Sequence, residues 1–460
     1  MKELKVAVIG GGLVGALETC CLAKRGHQVD LYEGRPDIRL LEHVKGRSIN
    51  MALSRRGREA LRHVGLEDEV TRNGIPMYSR MIHDINGNTK PILYGTPDQF
   101  IMSIDRRRLN EILLSGAEAY ENVTLHFEHK LVSCDCLSGE VKFMNDGKEV
   151  KADYDLIVGC DGAYSMTRRQ IMKQTRMNFS QEFIPHGYME LLMPPTSDDD
   201  YAMAINHLHI WPRNEYMMIG LPNPDKSFTV TLFMPFSIFE SLTTEKQILE
   251  FFKDKFPDSI PLLGEKDLVE TYLSAQALPL ISVKCKPYHI DNKVVILGDA
   301  AHAMVPFYGQ GMNAGLEDCL VLDGLMDEYS DDMVKVLDTY SQIRNCDAEA
   351  ICDLAMYNYI EMRKSVNSRL FLLRKRLDNF LHWIMPNYWI PLYTMVSFTR
   401  IPYHMCIEYK KKQDRIVKYG LVAAGMCGLF GIGAGIWLYY LKKEYGVWAY
   451  LAGRVWKSYW

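Results

Sequence analysis

Residues 4–33 set a glycine-rich loop between two short apolar runs, in an order that few folds accommodate. Leu4 to Ile9 (LKVAVI) reads as a strand buried on both faces, as in a parallel sheet. Gly10-Gly11-Gly12-Leu13-Val14-Gly15 follows, a G-x-G-x-x-G. A helical segment from Ala16 to Arg25 stops at Gly26, and a second strand from Gln28 to Tyr32 ends at Glu33. Each part has a physical reason. Gly10 permits a tight turn, Gly12 lets backbone approach a pyrophosphate, and Gly15 permits close helix–strand packing. The helix N-terminus supplies N–H donors and the positive end of a dipole. Glu33 is placed to accept from a ribose hydroxyl. The loop alone would be only a glycine-rich turn; the ordered set predicts a dinucleotide site. It does not separate NAD from FAD.

Two further segments narrow the choice. Asp155 to Gly162 is a strand running into a turn with Asp161, followed by Ser165 and Arg168. Val294 to His302 is another such strand, with a Gly298-Asp299 turn. It continues through Pro306 and Gly309-Gln310-Gly311-Met312-Asn313 into a helix with Glu317 and Asp318. Both strands end in a turn carrying an aspartate, where an α/β sheet binds ligands. Asp299 is placed to accept from a sugar-like hydroxyl, and the N–H groups from Gly309 to Asn313 to hold an anion or a ring edge.

Together the three segments resemble the FAD-dependent aromatic hydroxylases of the para-hydroxybenzoate hydroxylase type, over most of residues 1–325. That family carries a GxGxxG, a central DG and a late GD in this order. GRSINMALSRRG (46–57), IPHGYMEL (184–191), LHIWPRN (208–214), GDAAHAMVPFYGQGMNAGLEDC (298–319) and MYNYIEMR (356–363) are similar to the members that act on kynurenine. The resemblance implies an α/β fold. A Rossmann-like FAD-binding domain (1–180 and 272–330) would carry an antiparallel-sheet substrate domain (181–271) and a helical cap region (331–410). It implies hydroxylation of L-kynurenine at ring position 3 with FAD, NADPH and O2, at the mitochondrial outer membrane with the catalytic domain facing the cytosol. It places Arg106, of SIDRRRLNEIL, at the flavin nucleotide, with Arg35, Val14, Ala52, Leu131, Gly311, Met312 and Asn313 also at the cofactor. It places Arg80, Tyr94, Asn358 and Tyr393 at the substrate carboxylate and pocket wall.

Chemistry agrees with these residue types. Aromatic hydroxylation needs activated oxygen, which a flavin supplies without a metal. An ortho amino group makes the substrate ring electron-rich. The protein's tasks are to bind the flavin, place the ring and exclude water, so no side chain need act as nucleophile. No GxSxG or Cys–His signature suggests one. His207 and His209 alternate along a strand-like run with no carboxylate pattern, and read as strand histidines rather than metal ligands. A substrate carboxylate calls for an arginine, which binds it bidentately. Arg80 lies in the strand-like run 77–83 and Tyr94 on the next. The β-branched and aromatic runs within 186–236 predict an antiparallel sheet roofing the pocket, with Phe233 and Pro306-Phe307 near the flavin. No second dinucleotide fingerprint accompanies the first, so NADPH is expected to bind transiently along a groove.

The chain has 460 residues, 48 % apolar and 24 % charged, with a net charge of −4, which gives no reason to expect a nucleic-acid partner. Eleven scattered cysteines, none in a C-x-x-C, argue against a disulfide scaffold or a cysteine zinc site and fit a reducing compartment. The apolar run 6–9 is too short for a secretory signal. From Gly420 to Leu441 there are 22 residues without a charge, about 33 Å as a helix against a hydrocarbon core of about 30 Å. Gly431 and Gly435 form a GxxxG pair, lysines flank both ends, and Trp437, Tyr439, Tyr440, Trp448, Trp456 and Trp460 lie at one side. A transmembrane anchor touching membrane lipid is predicted, with a buried core helix as the alternative. Two other activities fit the same motifs: a related hydroxylase or epoxidase on a lipid-like substrate, and a membrane flavoprotein dehydrogenase.

Overall fold

Val6, Ala7 and Val8 are fully buried in the computed structural model, as a strand covered on both faces requires. The structure describes residues 3–42, 50–330, 332–363, 369–427, 440 and 443. It divides into two units, Met1–Asn367 and Ser368–Trp460.

The first unit is built on two large sheets. In one, Lys5–Ile9 is central, flanked in parallel by Gln28–Tyr32 and Leu156–Gly159; Val123–His126 and Val294–Ile296 extend the parallel pairing on the two sides, and His289–Ile290 closes one edge antiparallel. Helix Leu13–Lys24 follows the first strand. A Cβ at Gly15 would stand 1.9 Å from the Gly10 carbonyl oxygen, so only glycine lets this helix start so close to the strand.

The second sheet has seven strands in the order Leu278–Lys286, Asn178–Met193, Phe228–Pro235, Tyr216–Pro222, His207–Arg213, Ser79–His83 and Thr89–Leu93. All its pairs are antiparallel except His207–Arg213 with Ser79–His83, which run parallel. The antiparallel sheet expected within 181–271 therefore recruits strands from 79–93 and 278–286. These edge strands come from far along the chain, so local patterning does not reveal them. Helix Met333–Arg363 belongs to the first unit, whereas Arg369–Ile384, Leu392–Phe398 and Tyr403–Cys427 belong to the second. The stretch 331–410, read as one cap, is thus divided between the units.

Among the described residues no helix is long and apolar enough to cross a membrane. Residues 428–439 and 441 of the predicted span 420–441, which include Gly431, Gly435, Trp437 and Tyr439, lie outside the described residues. So do residues 46–49 of the GRSINMALSRRG stretch and the tryptophans at 448, 456 and 460.

Glu18 is fully buried within helix Leu13–Lys24, with one carboxylate oxygen lacking a partner. Burial pushes its pKa up to about 8, with Asp323 and Asp318 adding to the effect. In the unfolded chain the group ionises near 4.5, whereas the folded protein holds the proton to about 8. Its contribution to stability is complete below that lower value and is lost as pH rises through the window. Glu18→Gln keeps the shape without the ionisation. It is expected to stabilise the protein by about 3 kcal/mol at pH 7 and by almost nothing near pH 4. Thermal midpoints recorded across that range check this; a difference between the two proteins that does not change with pH contradicts it.

Candidate active site

The carboxyl ends of the parallel strands 5–9, 28–32, 156–159 and 294–296 open onto a cleft of about 560 Å³. Gly10 adopts φ +105°, and its N–H donates to the Tyr32 carbonyl at 2.7 Å. A Cβ there would lie 2.5 Å from the Cys160 carbonyl oxygen, so the first glycine lets the loop pass beside the DG turn. Gly12 differs. It caps helix Leu13–Lys24 in ordinary extended backbone, and a Cβ there would meet nothing within 4 Å. Its exposed edge belongs to the cleft. Among the described residues no side chain caps this helix, so its first N–H groups are available to an anion. Glu33 is fixed beside the loop: it accepts the Gly11 N–H at 2.9 Å, and the Arg35 N–H and Nε at 2.9 and 3.0 Å.

Asp299 lies on the opposite wall, the first residue of the short helix Asp299–His302. Among the described residues its carboxylate accepts no hydrogen bond, and it is exposed to the cleft. The surrounding protein raises its pKa, opposed by His302 and Arg106. Gly311 and Met312 open helix Gly311–Glu328 at the same wall, again without a side-chain cap. Arg106 lines the cleft; its neighbour Arg107 turns away to the carbonyls of Ile38, Leu41 and Glu42, and Arg108 toward Glu111. Val14, Arg35 and Leu131 also line it.

Three of the expected cofactor residues are engaged elsewhere or packed away. Asp161 borders the cleft, but its carboxylate caps helix Met166–Gln174, accepting from Met166 N–H at 2.7 Å, Thr167 N–H at 2.9 Å and Ser165 Oγ. Asn313 is buried, accepting the Ser54 N–H and donating to the Ala52 and Gly309 carbonyls. It clips the Ala52 strand to the glycine loop. Gly15 lies beneath the loop in the core.

Arg80 sits on Ser79–His83, buried, with its guanidinium 3.8 Å from Glu361 and 5.9 Å from the Tyr94 ring centroid. Glu361 and Asn358 both lie on helix Met333–Arg363. Asn358 donates to the Phe307 carbonyl at 2.6 Å. Phe307 stacks on Tyr359 at 3.8 Å and approaches Phe233 at 5.0 Å. A buried cation, a phenol and an aromatic cluster thus stand together. Tyr393 is described in the second unit, half-buried on Leu392–Phe398 and edge-on to Phe398.

Residues 3–355 match the family model for an FAD binding domain. The chain is 53 % identical to the kynurenine 3-monooxygenase of Anopheles gambiae, over 94 % of this chain and 90 % of that protein. It is 51 % identical to the kynurenine 3-monooxygenase of Sus scrofa, over 92 % and 90 %. The chain belongs to the kynurenine 3-monooxygenase family. Among solved structures, 2-methyl-3-hydroxypyridine-5-carboxylic acid oxygenase matches at TM-score 0.65 and 20 % identity, covering 81 % of this chain and 96 % of that one. PqsL of Pseudomonas aeruginosa, a probable FAD-dependent monooxygenase, matches at 0.63 and 19 %, covering 79 % and 97 %. These two establish the fold alone.

Two buried networks support the site in this kynurenine 3-monooxygenase relative, and sequence reading missed both. Behind the GD turn, Asp318 accepts the Gly298 N–H at 2.8 Å, His302 Nε2 at 2.6 Å and the Arg344 guanidinium at 2.7 Å. Burial alone would raise the Asp318 pKa, but His302 and Arg344 outweigh it and hold the carboxyl below its ordinary value. Glu317 pairs with Arg56 at 2.7 Å, tying helix Arg55–His63 to the same helix. Beneath Arg80's strand, His83 Nδ1 lies 2.9 Å from Asp258 and its Nε2 2.8 Å from His209 Nδ1. Trp211 Nε1 donates to Asp258 at 2.8 Å, and His209 Nε2 meets the Ala204 carbonyl at 2.8 Å. Burial pushes the His209 pKa down to about 3, so that ring stays neutral. The strand histidines are links in a chain that fixes the sheet below Arg80. Glu361 was also missed; it shares MYNYIEMR with Asn358, and the i, i+3 spacing was the available signal.

Proposed function

We propose that this chain hydroxylates L-kynurenine at ring position 3 to give 3-hydroxykynurenine, using FAD, NADPH and O2. The observation that carries the reading is 53 % identity to a kynurenine 3-monooxygenase over 94 % of the chain. The buried Arg80 suits an amino-acid substrate and would be wasted on a hydrocarbon.

The residues on the cleft fit FAD. The open edge of Gly12 and the first amides of helix Leu13–Lys24 receive the pyrophosphate. Glu33 accepts from the ribose, Asp299 from the ribityl chain, and the amides opening helix Gly311–Glu328 meet the ring edge. When bound, FAD would supply the hydride-accepting and oxygen-activating chemistry that hydroxylation of the substrate ring needs. Arg80 binds the substrate carboxylate in the two-pronged geometry its planar fork allows, with Tyr94 beside it. Glu361 balances the Arg80 charge within the protein. Phe233, Phe307 and Tyr359 exclude water from the ring, and Asn358 holds Phe307 in place through its carbonyl.

Residues 420–441 are proposed to anchor the chain in a membrane, the mitochondrial outer membrane with the catalytic unit toward the cytosol. Their uncharged length and flanking lysines support an anchor, while the choice of membrane and the orientation rest on the family resemblance.

Asp299→Ala is expected to weaken FAD binding by roughly tenfold, since one hydrogen bond to a carboxylate is lost. The recovery of flavin fluorescence on dilution measures it; an unchanged dissociation curve contradicts the role. The function is tested by following NADPH oxidation with and without L-kynurenine and identifying the product by mass. Kynurenine-stimulated oxidation with one oxygen atom added to the ring is expected. Oxidation coupled to a quinone, with kynurenine unchanged, would assign a dehydrogenase instead.

A further inference from the structure

Helix Arg369–Ile384 of the second unit exposes four of its described apolar side chains. Leu373, Phe380, Trp383 and Ile384 are 63, 54, 79 and 51 % exposed. At about 100° per residue Leu373, Leu377, Phe380 and Ile384 share one stripe, edged by Trp383 and the exposed Arg376. Arg374 and Asp378 turn toward the rest of the unit, while Arg376 and Asn379 are exposed. Arg374 lies 3.0 Å from Asp378 and 2.9 Å from Asp414, Trp389 Nε1 donates to Asp378 at 3.0 Å, and Leu381 is buried. So many exposed apolar side chains are unusual for a helix on the surface of a water-soluble domain. Single exposed apolar residues are ordinary, but Leu373, Phe380 and Ile384 along one stripe, with Trp383 at its edge, form a patch.

We propose that this face lies in the surface of a lipid bilayer, with Trp383 and Phe380 at the boundary between headgroups and acyl chains. Charge and continuity select lipid as the occupant. An interfacial helix pairs aromatic and aliphatic residues with cations that meet anionic headgroups, and Arg376 stands where such a cation belongs. A second copy of the chain fits less well. The stripe and its edge hold no acid, so a second copy laid on this face would offer Arg376 no opposite charge. Continuity comes through Asp414. Its contact with Arg374 ties this helix to Tyr403–Cys427, where Tyr419, Leu421 and Val422 are exposed at the start of the uncharged stretch 420–441. From Asp414 to Gly420 is about 9 Å of helix, so an anchor beginning there brings the 369–384 face to the same membrane. The proposal rests on the anchoring reading above and adds to it a second, in-plane contact.

The test uses the full chain and its Trp383→Phe variant in vesicles of phosphatidylcholine and phosphatidylserine, with acyl chains brominated in half the samples. Flotation reports membrane association, and quenching of tryptophan emission by bromine reports depth. Trp383 is expected to be quenched, so the quenched share of emission drops in Trp383→Phe. The full-chain double variant Phe380→Glu with Ile384→Glu, at two exposed positions, is expected to float yet lose the Trp383 quenching. A chain that floats while Trp383→Phe leaves the quenched share unchanged overturns the in-plane contact and leaves the anchor standing. Unquenched Trp383 with concentration-dependent self-association assigns the face to a second copy and overturns it too. A chain that does not float at all overturns both readings.

Discussion

Gly12→Val yields a folded protein that does not hold FAD. Gly12 sits in extended backbone that valine adopts readily, and its Cβ would touch no protein atom within 4 Å. The apo protein therefore loses nothing, and its thermal midpoint without added flavin stays where it was. The isopropyl group would instead fill the edge where a pyrophosphate must meet the first amides of the helix. The expected loss is about 3 kcal/mol or more, a hundredfold or greater weakening. Gly15→Val is the contrasting control. Its side chain would enter the space of the Gly10 carbonyl oxygen at 1.9 Å, so it is expected to damage folding itself. A Gly12→Val protein that purifies fully loaded with flavin would show that the pyrophosphate does not lie at this loop.

Arg80→Ala loses L-kynurenine by about 2–4 kcal/mol while keeping its flavin. The guanidinium is buried on an inner strand, so its charge would meet a substrate carboxylate with little solvent screening. Removing it also leaves Glu361 without its cation, at 3.8 Å, which adds repulsion toward a second carboxylate. Arg80→Lys keeps the charge and loses the fork, and is expected to fall between the two. Kynurenine titrations of the flavin-loaded proteins separate the cases. An unchanged affinity in Arg80→Ala would place the carboxylate elsewhere.

What the sequence makes legible here is local. The strand, loop, helix, strand and acid of residues 4–33 lie in one short stretch, and so do the DG and GD turns. That they converge on one cleft follows from the parallel order of their strands. The partners of the supporting networks are not legible, because they are distant in the chain. Asp258 reaches His83 across 175 positions, and Arg56 reaches Glu317 across 261. Periodicity carries no information about such pairs. Asp161 and Asn313 illustrate a subtler gap. Asp161 borders the cleft and Asn313 is buried; their side chains are committed to a helix cap and a strand clip, and only the folded geometry distinguishes a residue that holds a ligand from one that holds the loop. The seven-stranded sheet was foreseen in its centre and not in its flank, where Ser79–His83 joins His207–Arg213 in parallel.

The most direct measurement is the visible absorption spectrum of the purified full-length protein, before and after incubation with FAD and removal of the excess. Three loops meeting at one cleft predict the two visible bands of a protein-bound flavin, at one flavin per chain, absent from Gly12→Val. A preparation that folds but stays colourless after reconstitution would contradict that convergence and the chemistry built upon it.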